Sequence, residues 1–169
     1  MRCMKKVIVI GCPGSGKSTF ARKLHEITGI PLFHLDLMYW KADRTIVEKS
    51  VFLKGLQEAM EGETWIIDGN YSSTMEMRMS ACDTVFFLDH DVDICIRGIR
   101  ERRGQPRPDM PWIEGEEDDE ELMIFVRNYP VANKPEVMEL LEKYSSKRIY
   151  VFENQEESNR YIQNLLDEF

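Results

Sequence analysis

Residues 5–19, KKVIVIGCPGSGKST, set the strongest constraint on what this chain can fold into. After two lysines the stretch is short, continuously apolar and β-branched, the pattern of a strand buried on both faces. Gly11-Cys12-Pro13-Gly14-Ser15-Gly16-Lys17-Ser18 follows at once and fits the spacing G-x-x-x-x-G-K-[ST]. Glycines there let backbone N–H groups converge on phosphate oxygens that side chains would obstruct. A helix beginning at Gly16-Lys17 adds the positive end of its dipole. Gly11, Pro13, Gly14, Ser15, Gly16, Lys17, Ser18 and Thr19 are therefore expected to bind a nucleoside triphosphate, ATP. Lys17 is expected on the β- and γ-phosphates, the Ser18 hydroxyl on Mg²⁺, and Thr19 on the α-phosphate.

The rest of the chain alternates strand and helix signals. Phe20, Leu24 and Ile27 recur at helical spacing after the loop, Gly29 stops that helix, and Pro31 lies just beyond. Strands are expected over 5–10, 31–36 (PLFHLD), 64–69 (TWIIDG), 83–89 (DTVFFLD) and 147–152 (KRIYVF). Helices are expected over 46–61, 73–81, 91–103, 117–129 and 134–145, and Asn154 with Glu157 resembles a capping box opening a last helix. Between 104 and 115, GQPRPDMPWIEG breaks regular structure with three prolines and two glycines. Strands alternating with helices predict a parallel sheet covered on both faces, with ligands outside the carboxyl ends of the strands. Those ends are Gly11, Asp36, Asp68, Asp89 and Glu153, so four of the five are carboxylates and the edge suits metal and polar ligands.

A chain of 169 residues suits one domain, 1–169. Its net charge of −8 works against a general electrostatic grip on nucleic acid, so direct nucleic-acid binding is not expected. No apolar run approaches the roughly 20 residues that span a bilayer, and the apolar stretch behind the basic start is too short for a signal segment. A cytoplasmic monomer or homodimer with no membrane partner is the expectation. Cys3, Cys12, Cys82 and Cys95 have neither metal-ligand nor disulfide-framework spacing, and Cys82 and Cys95 read as buried apolar residues. His25, His34 and His90 show no metal spacing either.

GCPGSGKST (11–19), HLDLMYW (34–40), WIIDGNY (65–71), FFLD (86–89) and RPDM (107–110) together resemble the nucleoside-monophosphate-kinase branch of P-loop proteins, relatives of adenylate and shikimate kinases. The narrower resemblance is to adenylate-kinase-related proteins labelled DNA topology modulation proteins. It covers essentially the whole chain. It implies a three-layer α/β/α P-loop NTPase fold with a five-stranded parallel sheet of order 2-3-1-4-5 and a short lid over about 103–127. It also implies a kinase that passes the γ-phosphoryl of Mg-ATP to an acceptor the sequence does not name.

In such kinases lid arginines close over the transferring phosphoryl group, and here Arg97, Arg100, Arg102, Arg103, Arg107 and Arg127 are available. Planar multi-donor cations suit a transition state with dispersed charge. A basic face paired with the acidic run 116–121 is the other reading. Arg100, Arg103, Arg107 and Arg127 join Lys17 as candidate catalytic residues. Asp36 stands where shikimate-kinase relatives hold acceptor hydroxyls or a metal-bound water. Asp68-Gly69 matches the DG of adenylate kinases, making Asp36 and Asp68 further catalytic candidates and Ser18 and Asp68 candidate metal ligands. Tyr39, Trp40, Asn70 and Tyr71 are candidates for acceptor contact or core packing, Trp65 reads as core and Trp112 as lid, and residues 153–155 are expected near the adenine. DGNY replaces the DGFPR whose arginine serves the monophosphate in adenylate kinases, so AMP is not the expected acceptor. Two readings from other classes stand beside the kinase: a nucleotide-dependent regulatory or DNA-topology-related protein without kinase activity, and a simple NTP hydrolase.

Overall fold

The structure, a computed structural model, describes residues 3–169; Met1 and Arg2 of the basic start lie outside the described residues. Five strands, β1 (Lys6–Gly11), β2 (Leu32–His34), β3 (Trp65–Asp68), β4 (Thr84–Leu88) and β5 (Arg148–Phe152), form one sheet of order β2-β3-β1-β4-β5. Every neighbouring pair is parallel, and the order is the one the resemblance implies. The helices are α1 (Lys17–Thr28), α2 (Leu35–Tyr39), α3 (Lys49–Met60), α4 (Ser72–Ala81), α5 (Val92–Glu101), α6 (Glu120–Ala132), α7 (Lys134–Lys143) and α8 (Gln155–Glu168).

The pleat explains why β1 is central. Val7, Ile8, Val9 and Ile10 are all fully buried, and successive side chains serve opposite faces. Ile8, Ile10, Ile67, Val85 and Phe87 pack against Leu35, Phe52, Leu56, Met75, Met79 and Leu140, from α2, α3, α4 and α7. Val7, Val9, Ile66, Phe86 and Leu88 pack against Phe20, Leu24, Ile162 and Leu165, from α1 and α8. The result is three layers, α/β/α. A third cluster of Cys12, Cys95, Ile99, Met123, Val126 and Tyr129 joins the loop after β1 to α5 and α6. Cys82 and Cys95 are buried, as their context predicts. Among the described residues no helix is long and apolar enough to cross a membrane.

Several boundaries differ from the sequence reading, each for a local reason. The second strand ends at His34, because Leu35 turns into the core beneath Gly69 and the Trp40 N–H donates to the Asp36 carbonyl at 3.0 Å. Asp36 therefore lies in the first turn of α2 and not at a strand end. The helix expected from residue 46 starts at Lys49, since Ile46 bridges Trp40 and the Val47 N–H donates to the Tyr39 carbonyl. At α8 only half of the expected capping box forms. Asn154 accepts from the Glu157 N–H at 2.9 Å, but the Glu157 carboxylate accepts from Glu153 N–H instead of closing on Asn154.

Arg78 on α4 is fully buried, which a helix position in the sequence does not announce. Its guanidinium donates to the carbonyls of Gly69, Asn70 and Tyr71 and to the Thr74 hydroxyl. Burial pulls its pKa down to about 10, with Asp68 acting in the opposite direction. Arg78 thus fastens the turn after β3 to the helix that follows it. Arg78→Met leaves those carbonyls buried without their donor and should cost about 3 kcal/mol or more of stability, read as a lowered urea midpoint.

Candidate active site

A cavity of about 1140 Å³ runs along the carboxyl edge of the sheet, larger than the roughly 300–1,000 Å³ of an ordinary small-molecule site. Strand order fixes its layout. Gln155, Ser158 and Asn159 of α8 line the end beside β5, whereas Asp36, Trp40, Asn70 and Tyr71 line the end beside β2 and β3. The loop after β1, the central strand, lies between these ends. Two ligands can therefore meet over that loop.

Pro13, Gly14, Ser15, Gly16, Lys17, Ser18 and Thr19 line the cavity. Gly11 lies behind them, where a Cβ would meet the Leu88 carbonyl oxygen at 2.7 Å and Ser15 Oγ at 2.8 Å. Gly14 and Gly16 have φ of +84° and +86°, and Gly16 precedes α1 with no side-chain cap. The first N–H groups of α1 are thus left for an anion. Three further features fit phosphate: Ser15 Oγ is buried without a partner, a Cβ on Gly16 would meet open space, and Lys17 makes no ion pair among the described residues. Cys12 is no reactive thiol, because its hydrogen bond with Cys95 and its burial both raise its pKa.

Gly98 on α5 escaped the sequence reading. A Cβ there would meet the Gly14 carbonyl oxygen at 2.2 Å, and one on Gly14 would meet the Cys95 carbonyl oxygen at 2.0 Å. Both glycines exist for one backbone contact between loop and helix.

At the other end, the Tyr71 hydroxyl donates to Asp36 Oδ1 at 2.5 Å, leaving Oδ2 without a hydrogen bond among the described residues. Burial first, then the Asp36 charge, raises the Tyr71 pKa, so the phenol stays a donor. Trp40 meets Trp112 edge to face at 5.5 Å, with Arg44 over the Trp112 ring at 5.6 Å. Tyr39 instead packs among Phe52 and Tyr71, away from the cavity lining. Asn70 Oδ1 accepts from the Gly11 N–H at 3.2 Å. Of the four edge carboxylates, Asp36 lines the cavity. Asp68 is buried, accepting from His34 Nδ1 at 3.0 Å, and Asp89 pairs with Lys134 at 2.8 Å. Among residues 153–155, Gln155 reaches the lining.

Residues 102–119 form the irregular part of the expected lid, and the acidic run serves its arginines. Glu114 accepts two hydrogen bonds from Arg102, at 3.0 and 3.1 Å, and one from Arg107 at 3.3 Å. Asp118 pairs with Arg100 and Arg103. Asp119 caps α6. Arg103 and Arg107 line the cavity, and Arg97 does so with no ion pair among the described residues. Arg100 and Arg127 lie outside that lining and border a separate concavity with Asp93, Ile96, Arg97 and Glu101.

Asp109 is the other residue the sequence reading did not single out. Its side chain is buried, accepts from the Ser18 hydroxyl at 3.1 Å, and lies 3.6 Å from Arg22 and 3.7 Å from Arg107. Burial opposes its charge, but Arg107 and the Ser18 hydroxyl outweigh burial and hold its pKa below the ordinary carboxylate range. That arrangement is stable above the usual range and is lost as pH falls through the lowered pKa. Among the described residues no group of three or more His, Cys, Asp or Glu side chains is placed to hold a metal. Mg²⁺ needs less from the protein, one or two hard oxygens beside phosphate oxygens and water, and Ser18 with Asp109 fits that demand.

A parallel sheet of this order, a phosphate loop at the end of its central strand and a long cleft define a P-loop kinase-like fold. No protein-family model matches the chain. The chain is similar to adenylate kinases of Thermotoga petrophila and Thermotoga maritima, 33% identical over 88 residues, which is 51% of this chain and 39% of each relative. It thus spans well under half the length of the curated relatives it matches. Among solved structures it resembles the shikimate kinase of Acinetobacter baumannii in complex with shikimate, with TM-score 0.63, 17% identity and coverage of 98% of this chain and 92% of that one. It also resembles the deoxyadenosine kinase of M. mycoides with bound dATP, with TM-score 0.55, 18% identity and coverage of 96% and 99%. These likenesses support the nucleoside-monophosphate and shikimate-kinase-like P-loop fold.

Gly98→Ala should push α5 from the loop, weakening ATP binding and costing about 1–3 kcal/mol of stability. Gly55→Ala is the control, since nothing lies within 4 Å of its Cβ position in α3. It should leave ATP titrations unchanged and raise the melting temperature.

Proposed function

We propose that the chain is an ATP-dependent phosphotransferase whose acceptor is a small hydroxyl compound seated between Asp36, Tyr71, Trp40 and Trp112. The observation that carries the reading is one continuous cavity that joins the phosphate loop, where among the described residues Lys17 makes no ion pair and the Ser15 hydroxyl has no partner, to a separate polar and aromatic end. A plain hydrolase has no use for that second compartment. The narrower likeness to topology modulation proteins rests on LD…YW (35–40), DGNY and RPDM together, and residues of all three stretches line this cleft.

The loop's N–H groups and Lys17 would hold the phosphate chain of ATP, Ser18 and a carboxylate would hold Mg²⁺, and Gln155, Ser158 and Asn159 would face the base. Mg²⁺, when bound, supplies charge neutralisation at the phosphate oxygens. The acceptor oxygen bonds to the γ-phosphorus as the bond to the bridging oxygen breaks, and ADP leaves. The hydroxyl proton passes to Asp36, whose Oδ1 is oriented by Tyr71 and whose Oδ2 is open. A monophosphate acceptor would have to draw Arg107 from Glu114 and Asp109, or Arg44 from the Trp112 ring.

ADP formation from Mg-ATP, measured with nucleosides, nucleoside monophosphates and hydroxylated small acids, tests the reading. One class should accelerate turnover strongly. Equal turnover with every compound and with none would sink it. Lys17→Met should lower transfer at least about a hundredfold with the fold intact. Asp36→Asn should lower kcat about a hundredfold or more while leaving ATP affinity unchanged.

A further inference from the structure

We propose that Asp109 is the carboxylate this chain supplies to the Mg²⁺ of a bound nucleoside triphosphate, making metal binding and docking of segment 102–119 one event. The inference rests on the phosphate loop being a nucleotide site. Three carboxylates compete for the role. Asp68, the strand-end candidate, is buried, bonded to His34 and absent from the cavity lining. Asp36 lines the cavity but is oriented by Tyr71 at the acceptor end. Among the described residues Asp109 alone meets the Ser18 hydroxyl, at 3.1 Å.

That separation has the size of one edge of a Mg²⁺ coordination octahedron. With bonds of about 2.0–2.1 Å, adjacent oxygen ligands lie about 2.9 Å apart. Side chains from two sides fix the carboxylate: Arg22 from α1 and Arg107 from its own segment. His34, on the sheet side, also favours its charged form. The same carboxylate beside bound phosphate oxygens is repelled unless a cation lies between. Metal-bound nucleotide therefore keeps Asp109, and residues 102–119 with it, on the loop, whereas metal-free nucleotide drives them off.

The test is ATP binding by calorimetry, with Mg²⁺ or with EDTA, to wild type, D109N and D68N. Wild type should bind Mg-ATP more tightly than free ATP. D109N should weaken Mg-ATP binding about tenfold or more and leave free ATP unchanged or tighter, while D68N keeps the metal's gain. Hydrogen exchange on the wild-type chain supplies a readout independent of any variant's folding. Amides of 104–115 should be more protected with Mg-ATP than with ATP in EDTA. The inference is overturned if D109N keeps the whole gain from Mg²⁺, or tightens Mg-ATP and free ATP alike as a purely obstructive carboxylate would. Equal protection of 104–115 without metal overturns it too. Wild type that binds no ATP at all overturns the nucleotide reading with it, whereas binding without turnover on any acceptor touches only the kinase reading.

Discussion

The backbone contact between Gly14 and Gly98 governs how the rest of this molecule can be used. A Cβ on either residue would lie about 2 Å from the other element's carbonyl oxygen, so the loop and α5 share one surface with no side chain to take up slack. Close-packed interiors transmit such displacements without absorbing them. α5 leads straight into residues 102–119, and α6 beyond them is tied back through Met123, Val126 and Tyr129 to Cys12 in the loop. Both ends of the irregular segment are thereby anchored to the phosphate loop. Movement between the anchors is confined to the stretch that carries Arg103, Arg107 and Asp109.

How much of this could be read from the sequence follows from how local each feature is. The strand, the loop glycines and Lys17 form one contiguous string, and each residue's reason lies within a few neighbours. The two-faced core was legible for the same cause, since the continuous apolar run of KVIVIG needs no partner to be seen. Asp36 and Asp68 were found as positions but not as environments. The structure pairs Asp68 with His34, 34 residues away, and turns Asp36 into a short helix because Leu35 is drawn beneath Gly69. Arg78 sits in a helix where arginine ordinarily faces water. Its burial comes from three carbonyls that the DGNY turn points at it, and no periodicity encodes that. Gly98 reads as a mild helix weakener until a second backbone is laid against it. Asp109 lies in a proline-broken stretch without period, so only its hydrogen bond to Ser18 gives it a role.

The charges of the cleft fall into two groups. Lys17 and Arg97 stand without ion pairs among the described residues, whereas Arg102, Arg103 and Arg107 are each held by a carboxylate of their own segment. The first group can meet an incoming phosphate chain directly. The second can do so only by exchanging a carboxylate oxygen for a phosphate oxygen. Each charge-assisted hydrogen bond is worth about 1.5–3 kcal/mol on either side of that exchange, so it is close to neutral. A segment stitched by such pairs is ordered in one arrangement yet costs little to move to another.

The end of the cleft beside β2 and β3 is closed by different physics. Trp40 and Trp112 meet edge to face, a contact worth roughly 0.5–1.5 kcal/mol beyond its buried area, with Arg44 laid over the Trp112 ring. Trp112 belongs to the same segment as Arg107 and Asp109, so a displacement that exposes the phosphate loop also parts the two indoles. An acceptor with a flat apolar face can replace Trp40 as the surface against Trp112, whereas a small charged acceptor leaves that indole uncovered. On the proposed reading the segment would meet both ligands, one through charge at Asp109 and the arginines, the other through apolar contact at Trp112. Both kinds of contact are made by groups of the chain itself, Asp109 with the Ser18 hydroxyl and Trp112 with Trp40, so each proposed ligand would enter by exchanging one of them.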